Sequence, residues 1–223
     1  MVVVDDEAFR RLPGTIAIAR AGMALALGNL PDTMAYARRV LELAPEDDYF
    51  LRGAAAALIG LAFWTGGDLE AAHRSFAEGM AHLQLAGNIS DAVGGVLALA
   101  DIRLTQGRLH DAMRTYERSL QLARENGTPA LRGTADMYVG MSELEREYND
   151  LQAAAQLLVQ SQEQGEHTGF PQYPYRWRVA MARIREAQED LDAALDLLEE
   201  LVGRAVRDVG LEGRGLAAGL LDR

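Results

Sequence analysis

Apolar positions in this chain recur at helical spacing, and the recurrence is itself repeated along the sequence. An apolar stretch from Gly53 to Trp64 is broken by Gly67-Asp68-Leu69. Glu70-Ala71-Ala72 then opens a second amphipathic run, with Phe76 four residues beyond Ala72. The unit returns as Gly28-Asn29-Leu30 and as Gly107-Arg108-Leu109 with Ala112 and Tyr116. It returns again as Asn149-Asp150-Leu151 with Ala154 and Leu158, and as Glu189-Asp190-Leu191 with Ala194 and Leu198. The leucines fall at 30, 69, 109, 151 and 191, in steps of 39, 40, 42 and 40 residues. A fixed period in this range marks a stacked repeat protein, and the spacing within each unit is that of amphipathic helices. The predicted fold class is therefore all-α, an α-solenoid of helix–turn–helix repeats with a period near 40 residues.

The turns set the element boundaries. The first helix is predicted over 13–27, with Pro13 in its first turn, where a missing N–H is no loss. Gly28-Asn29 tolerates the positive φ of a tight turn, and Pro31 opens a second helix that stops before Pro45. The following pairs are predicted over 49–65 with 69–86, 89–106 with 109–125, 130–148 with 151–167, and 175–188 with 191–206. The corresponding repeats are 13–45, 49–87, 89–127, 129–168 and 174–207, within a single solenoid domain over 1–223. Gly169-Phe170-Pro171-Gln172-Tyr173-Pro174 is predicted not to be helical throughout, because two prolines interrupt it. Residues 211–223 read as the first helix of a sixth repeat that stops before its turn. Solenoids need polar capping repeats at their ends. The pattern therefore predicts a piece excised from a longer protein, ahead of a chain whose ends are covered by dimerisation.

Composition narrows the chemistry. Apolar residues make up 49% of the 223 positions and aromatics 6%, which suits thin helix layers filled by Ala and Leu. Against 33 acidic residues stand 22 basic ones, all of them arginine and scattered along the chain, for a net charge of −11. Such a chain is repelled by nucleic acid, so no direct nucleic-acid binding is predicted. Without lysine there is no Walker-type phosphate lysine and no Schiff-base or general-base lysine. Without cysteine there is no disulfide, thiolate nucleophile or Cys-based zinc site, and a cysteine-free chain fits a reducing cytoplasm. His73, His82, His110 and His167 have no metal-ligand spacing, and no Gly-x-Ser-x-Gly elbow is present. No catalytic residue, metal or cofactor is predicted. The longest apolar run is shorter than the roughly 18–20 residues a bilayer span requires. The N-terminus lacks the features of a signal peptide. A soluble, cytoplasmic protein without a membrane role is the expectation.

The phasing of small and large residues carries a resemblance. Gly60 lies twelve residues before Ala72, and the offset recurs as Ala100 and Ala112, Ser142 and Ala154, and Ala182 and Ala194. This resembles the tetratricopeptide repeat (TPR), in which a small residue on each helix lets the pair approach closely and a larger one plugs the gap beside it. Longer phrases carry the likeness further: the run from Ala37 through Val40, Leu43 and Pro45 to Asp48, Gly66-Gly67-Asp68-Leu69-Glu70-Ala71-Ala72, Gln106-Gly107-Arg108-Leu109, and Tyr148 through Asn149-Asp150-Leu151 to Ala154. Over roughly 13–206 the chain resembles the TPR region of MalT-like, LuxR-type bacterial transcription activators. The resemblance implies a right-handed superhelix acting as a sensor module. It also implies an ATPase upstream, a helix-turn-helix downstream, and inducer- and ATP-driven self-association. With no Walker lysine here, this chain would be the inducer-sensing part alone.

In that phasing the concave face is lined by four positions of each first helix. These are Ala54, Ala57, Leu61 and Trp64; Gly94, Leu97, Asp101 and Leu104; Asp136, Val139, Glu143 and Arg146; and Arg176, Val179, Arg183 and Glu186. Trp64 with Asp101, Asp136 and Glu143 would suit a sugar or other small polar inducer, which needs a ring to stack on and acceptors for hydroxyls. The plainer alternative is a tryptophan packed between repeats beside solvated acids. Arg176 and Arg183 would hold an acidic ligand or a partner's carboxylates. A solvated or salt-bridged face is the alternative for these two, while Trp177 is expected in the core. The predicted function is a non-catalytic, ligand-sensing and protein-interaction domain of a MalT-like regulator. A small-molecule inducer or a protein or peptide partner would sit on the concave face. The alternative is a free-standing TPR scaffold that binds a peptide or protein.

Overall fold

The computed structural model describes residues 6–126 and 131–221. Among them are ten α-helices, one 3-10 turn and no strand. The helices are α1 (Asp6–Ala26), α2 (Leu30–Leu43), α3 (Tyr49–Thr65), α4 (Leu69–Leu85), α5 (Ile89–Thr105), α6 (Leu109–Asn126), α7 (Thr134–Glu147), α8 (Leu151–Gln164), α9 (Tyr173–Ala187) and α10 (Leu191–Leu221). The chain divides into two compact units, Met1–Arg132 and Gly133–Arg223. In the first, α1, α3 and α5 pair with α2, α4 and α6, while α2 packs on α3 and α4 on α5. In the second, α7 pairs with α8 and α9 with α10, and both α7 and α8 pack on α9. The architecture is an all-α solenoid of helix pairs.

One local device makes each turn. The residue two before the turn leucine takes positive φ: 73° at Gly28, 88° at Gly67, 71° at Gly107, 63° at Asn149 and 64° at Glu189. Where the intervening residue is Asx it caps the next helix: Asn29 accepts from the Asp32 amide, Asp68 from Ala71 and Asp150 from Ala153. Each cap satisfies an amide that would otherwise have no partner in the first helical turn.

Close packing follows from the small residues. A Cβ added at Gly60 would lie 2.7 Å from the backbone nitrogen of Phe76, and one at Gly79 would lie 2.8 Å from the Ala57 nitrogen and the Gly53 oxygen. These are contacts only a bare backbone permits. Ala72, Ala100, Ala112, Ser142 and Ala154 are all fully buried. So are Tyr116 and Leu158, which plug the gap beside them.

Four elements depart from the predicted boundaries, the first being α1, which begins at Asp6 rather than 13 and so carries Pro13 inside it rather than in its first turn. Helix α7 begins at Thr134 rather than 130, because Gly133 turns left-handed (φ 96°) and donates its N–H to the Thr168 carbonyl. Residues 127–130 lie outside the described residues. Helix α8 stops at Gln164, where Gly165 (φ 81°) leads into the 3-10 turn Glu166–Thr168. The last departure is in α10, which continues to Leu221 without the break predicted between 206 and 211. The expected separate helix over 211–223 is therefore a continuation of α10 as far as Leu221, and 222–223 lie outside the described residues.

Candidate functional site

The first helix of each pair supplies the face on which ligand residues were expected. In the second unit, Asp136 in the first turn of α7 and Arg176 on α9 are one repeat apart. Asp136 is fully buried, where a ligand-facing or, alternatively, a solvated acid was expected. Its Oδ1 accepts from Arg176 Nη1 at 3.1 Å, and its Oδ2 accepts the Phe170 amide at 2.8 Å. Burial pushes its carboxyl above the usual carboxylate range, against the opposing pull of the Phe170 amide and the Arg176 guanidinium. Two turns farther on, Glu143 Oε2 accepts from Arg183 at 3.0 Å and from Arg146 at 3.4 Å. Arg183 remains half exposed.

Thus four of the six predicted residues come together as two acid–arginine bridges between α7 and α9. Their partners are each other, so the salt-bridged alternative describes Arg176 and Arg183. Asp136 in particular serves as an anchor. It holds the Phe170 amide, and so the proline loop, against α7. The same corner is tied by Ser161, whose hydroxyl donates to the Ala135 carbonyl at 2.8 Å and lies 3.2 Å from the Tyr173 hydroxyl. Burial raises the Tyr173 phenol above its ordinary pKa. Sequence pattern did not assign roles to Phe170, Ser161 or Tyr173; the only signal was the pair of prolines that breaks the helix there. Trp177 packs against the Val139–Leu158–Ile184 cluster and donates its indole N–H to the Leu158 carbonyl at 2.9 Å, as expected of a core residue.

In the first unit, Trp64 on α3 and Asp101 on α5 are each half-buried. Trp64 and Leu104 share one register, five residues before their turn leucines. Leu61 and Asp101 share another, eight residues before, which is the register of Glu143 and Arg183 in the second unit. This row is therefore apolar and aromatic, with Asp101 as its carboxylate. Along the neighbouring edge, Glu70 accepts from Gln106 at 3.1 Å, and Arg108 pairs with Asp111 at 2.7 Å.

Among the described residues, no group of three or more His, Asp or Glu side chains could hold a metal ion. No helix among them is long and apolar enough to cross a membrane.

The family described as the MalT-like TPR region matches residues 14–209. Among solved structures, the chain is similar to a putative kinesin light chain with nearly identical TPR-like repeats from Podosopora anserina. The two share 15% identity over 87% of this chain and 96% of that one, with a TM-score of 0.62. BtubC (BKLC) from P. vanneervenii shares 13% identity over 84% of this chain and 78% of its own, with a TM-score of 0.66. MamA from Desulfovibrio magneticus RS-1 shares 12% identity over 86% and 94%, with a TM-score of 0.57. At these identities the likeness is one of fold alone. No curated protein matches the chain in sequence.

Proposed function

We infer function from one premise: the chain belongs to the family of MalT-like TPR regions, which matches it over residues 14–209. We propose that it is a non-catalytic sensing and protein-interaction module of a LuxR-type bacterial regulator, working in the cytoplasm. Inducer or partner is received on the face formed by the first helices. The family match carries this reading, because a scaffold of helix pairs gives every repeat an outward row of side chains that differ in chemistry while the backbone stays constant.

The geometry favours one part of that face for a small ligand. In the second unit Asp136, Arg176, Glu143 and Arg183 already satisfy one another. A ligand there would have to displace a formed ion pair and desolvate its own charge. In the first unit the row of Leu61, Trp64, Asp101 and Leu104 joins an indole and aliphatic surface to one carboxylate. That combination suits a small polar metabolite with an apolar or ring face and hydroxyl or amine donors. The half-exposed Glu143–Arg183 bridge remains a secondary contact for a partner's charged side chains.

A thermal-shift panel of sugars, nucleosides, amino acids and short peptides on the full chain tests the proposal. At least one compound is expected to raise Tm, with the shift lost in Trp64→Ala and Asp101→Asn and kept in Arg176→Gln. A panel in which nothing stabilises the fold, with Trp64→Ala indifferent, counts against it. Reading the parent gene separates regulator from free scaffold. A frame with a Walker motif upstream and a helix-turn-helix downstream supports the first, and an isolated frame supports the second.

A further inference from the structure

Helix α10 leaves Leu198 and Val202 exposed, at 41% and 59%. The same registers are sealed elsewhere in the chain. Seven and eleven residues after their turn leucine, Phe76 and Met80 of α4 are 6% and 8% exposed, in a cluster with Ala92 and Leu99 of α5. At the first of these registers in α8, Leu158 is fully buried in a cluster with Tyr173, Ala180 and Ile184 of α9. The exposed stripe on α10 is thus the seat that α4 and α8 offer to the first helix of the following pair.

In the first unit, α1 shows the complementary face. Ile16 and Met23 are 44% and 65% exposed. They occupy the registers at which α3 buries Ala55 and Ala62, at 0% and 4%. Beside them lies a groove of about 430 Å³ between α1 and α2, walled by Ile16, Met23, Leu27 and Tyr36. Arg20 stands in that face with its guanidinium 5.9 Å from the centre of the Tyr36 ring. Its register, ten residues before the turn leucine, is that of Leu99. On α10, Glu199 holds the register of Ala77, which packs against the same Phe76–Leu99 cluster.

We propose that the α10 stripe seats α1 of a second copy of this chain, in the register by which α4 seats α5. Two observations select this occupant. The interface continues one the fold already uses between its own pairs. That register also sets acidic Glu199 beside basic Arg20, where interior pairs have Ala77 and Leu99. A ridge of Leu198 and Val202 then enters the α1–α2 groove. The contact is heterologous: each copy offers α10 to one neighbour and α1 to another, so copies add head to tail as concentration rises, in a closed ring or an open chain. One helix stripe is small for a permanent interface, so assembly is weak and concentration-dependent. This inference goes beyond the sensing role and does not rest on it.

Sedimentation equilibrium of the full chain over a concentration series tests it. The weight-average mass is expected to climb above that of the monomer. Met23→Asp and Val202→Asp, both at positions more than half exposed, each remain monomeric alone. Their equimolar mixture forms a 1:1 dimer and nothing larger, because only one intact pair of faces is left. Arg20→Glu weakens assembly, and adding Glu199→Arg restores it. This charge swap tests the contact even if an Asp variant loses helical circular dichroism. A wild-type chain that stays monomeric throughout would overturn the proposal. So would Met23→Asp assembling as wild type does, which means α10 pairs with another α10, or a mixture that stays monomeric.

Discussion

Replacing Asp136 separates two things the buried carboxylate does: accept hydrogen bonds and carry charge. In Asp136→Ala the Phe170 amide loses its acceptor, and an orphaned buried donor costs about 1–3 kcal/mol. Removing one partner of a fully buried ion pair costs about 3–5 kcal/mol. Arg176, however, is 34% exposed and can turn to water, so that full cost is not reached. The expected loss is about 2–3 kcal/mol from the second unit. Asp136→Asn keeps an oxygen for the Phe170 amide and removes the charge. Because burial raises this carboxyl above its ordinary value of 3.8, the ionised form of Asp136 is less favoured in the fold than in water. The Asn variant should therefore cost clearly less than the Ala variant at neutral pH. The pH dependence has a definite sign. A carboxyl with a raised folded pKa binds its proton more tightly in the native state, so its contribution is complete below the unfolded value and is lost as pH rises through the folded one. The stability of wild type minus that of Asp136→Asn should be largest near pH 4 and fall as pH increases. Urea unfolding in a Trp64→Phe background, followed by the fluorescence of Trp177, reports on this unit alone. An Asn variant as unstable as Ala, or a difference that grows with pH, refutes the reasoning.

Other outcomes follow from packing and caps. Gly60→Ala and Ala112→Leu should each cost about 1–3 kcal/mol, since both force atoms into helix pairs already in contact; an unchanged Tm in either would refute the assigned pairing. Asp68→Ala removes the acceptor for the Ala71 amide and should cost about 1 kcal/mol, read as a lower midpoint in urea with an unchanged slope. Gly67→Ala, at φ 88°, should cost about 1 kcal/mol, whereas the same change at Gly22, where an added Cβ meets nothing within 4 Å, should be neutral or stabilising.

The turns, caps and small-residue contacts were legible because their causes are local. A Gly or Asn that accepts positive φ, an Asx that caps, and an alanine twelve residues from its partner act over less than one repeat, and they recur. The same locality explains the errors at helix ends. Gly133 and Gly165 are ordinary glycines in sequence, but the hydrogen bond from Gly133 to Thr168 spans 35 residues and decides where α7 begins. Asp136 and Arg176 could be placed on one face by counting. Whether they met a ligand or each other depended on the proline loop folding back to deliver the Phe170 amide, and on α9 covering α7. Leu158 and Leu198 make the point most plainly. They are the same residue at the same register, yet one is fully buried and the other 41% exposed. The sequence by itself determined that each is a leucine on the outward side of a second helix. Only the tertiary structure decided which one has a neighbouring helix to remove it from water, because burial belongs to the pair of surfaces and not to the side chain.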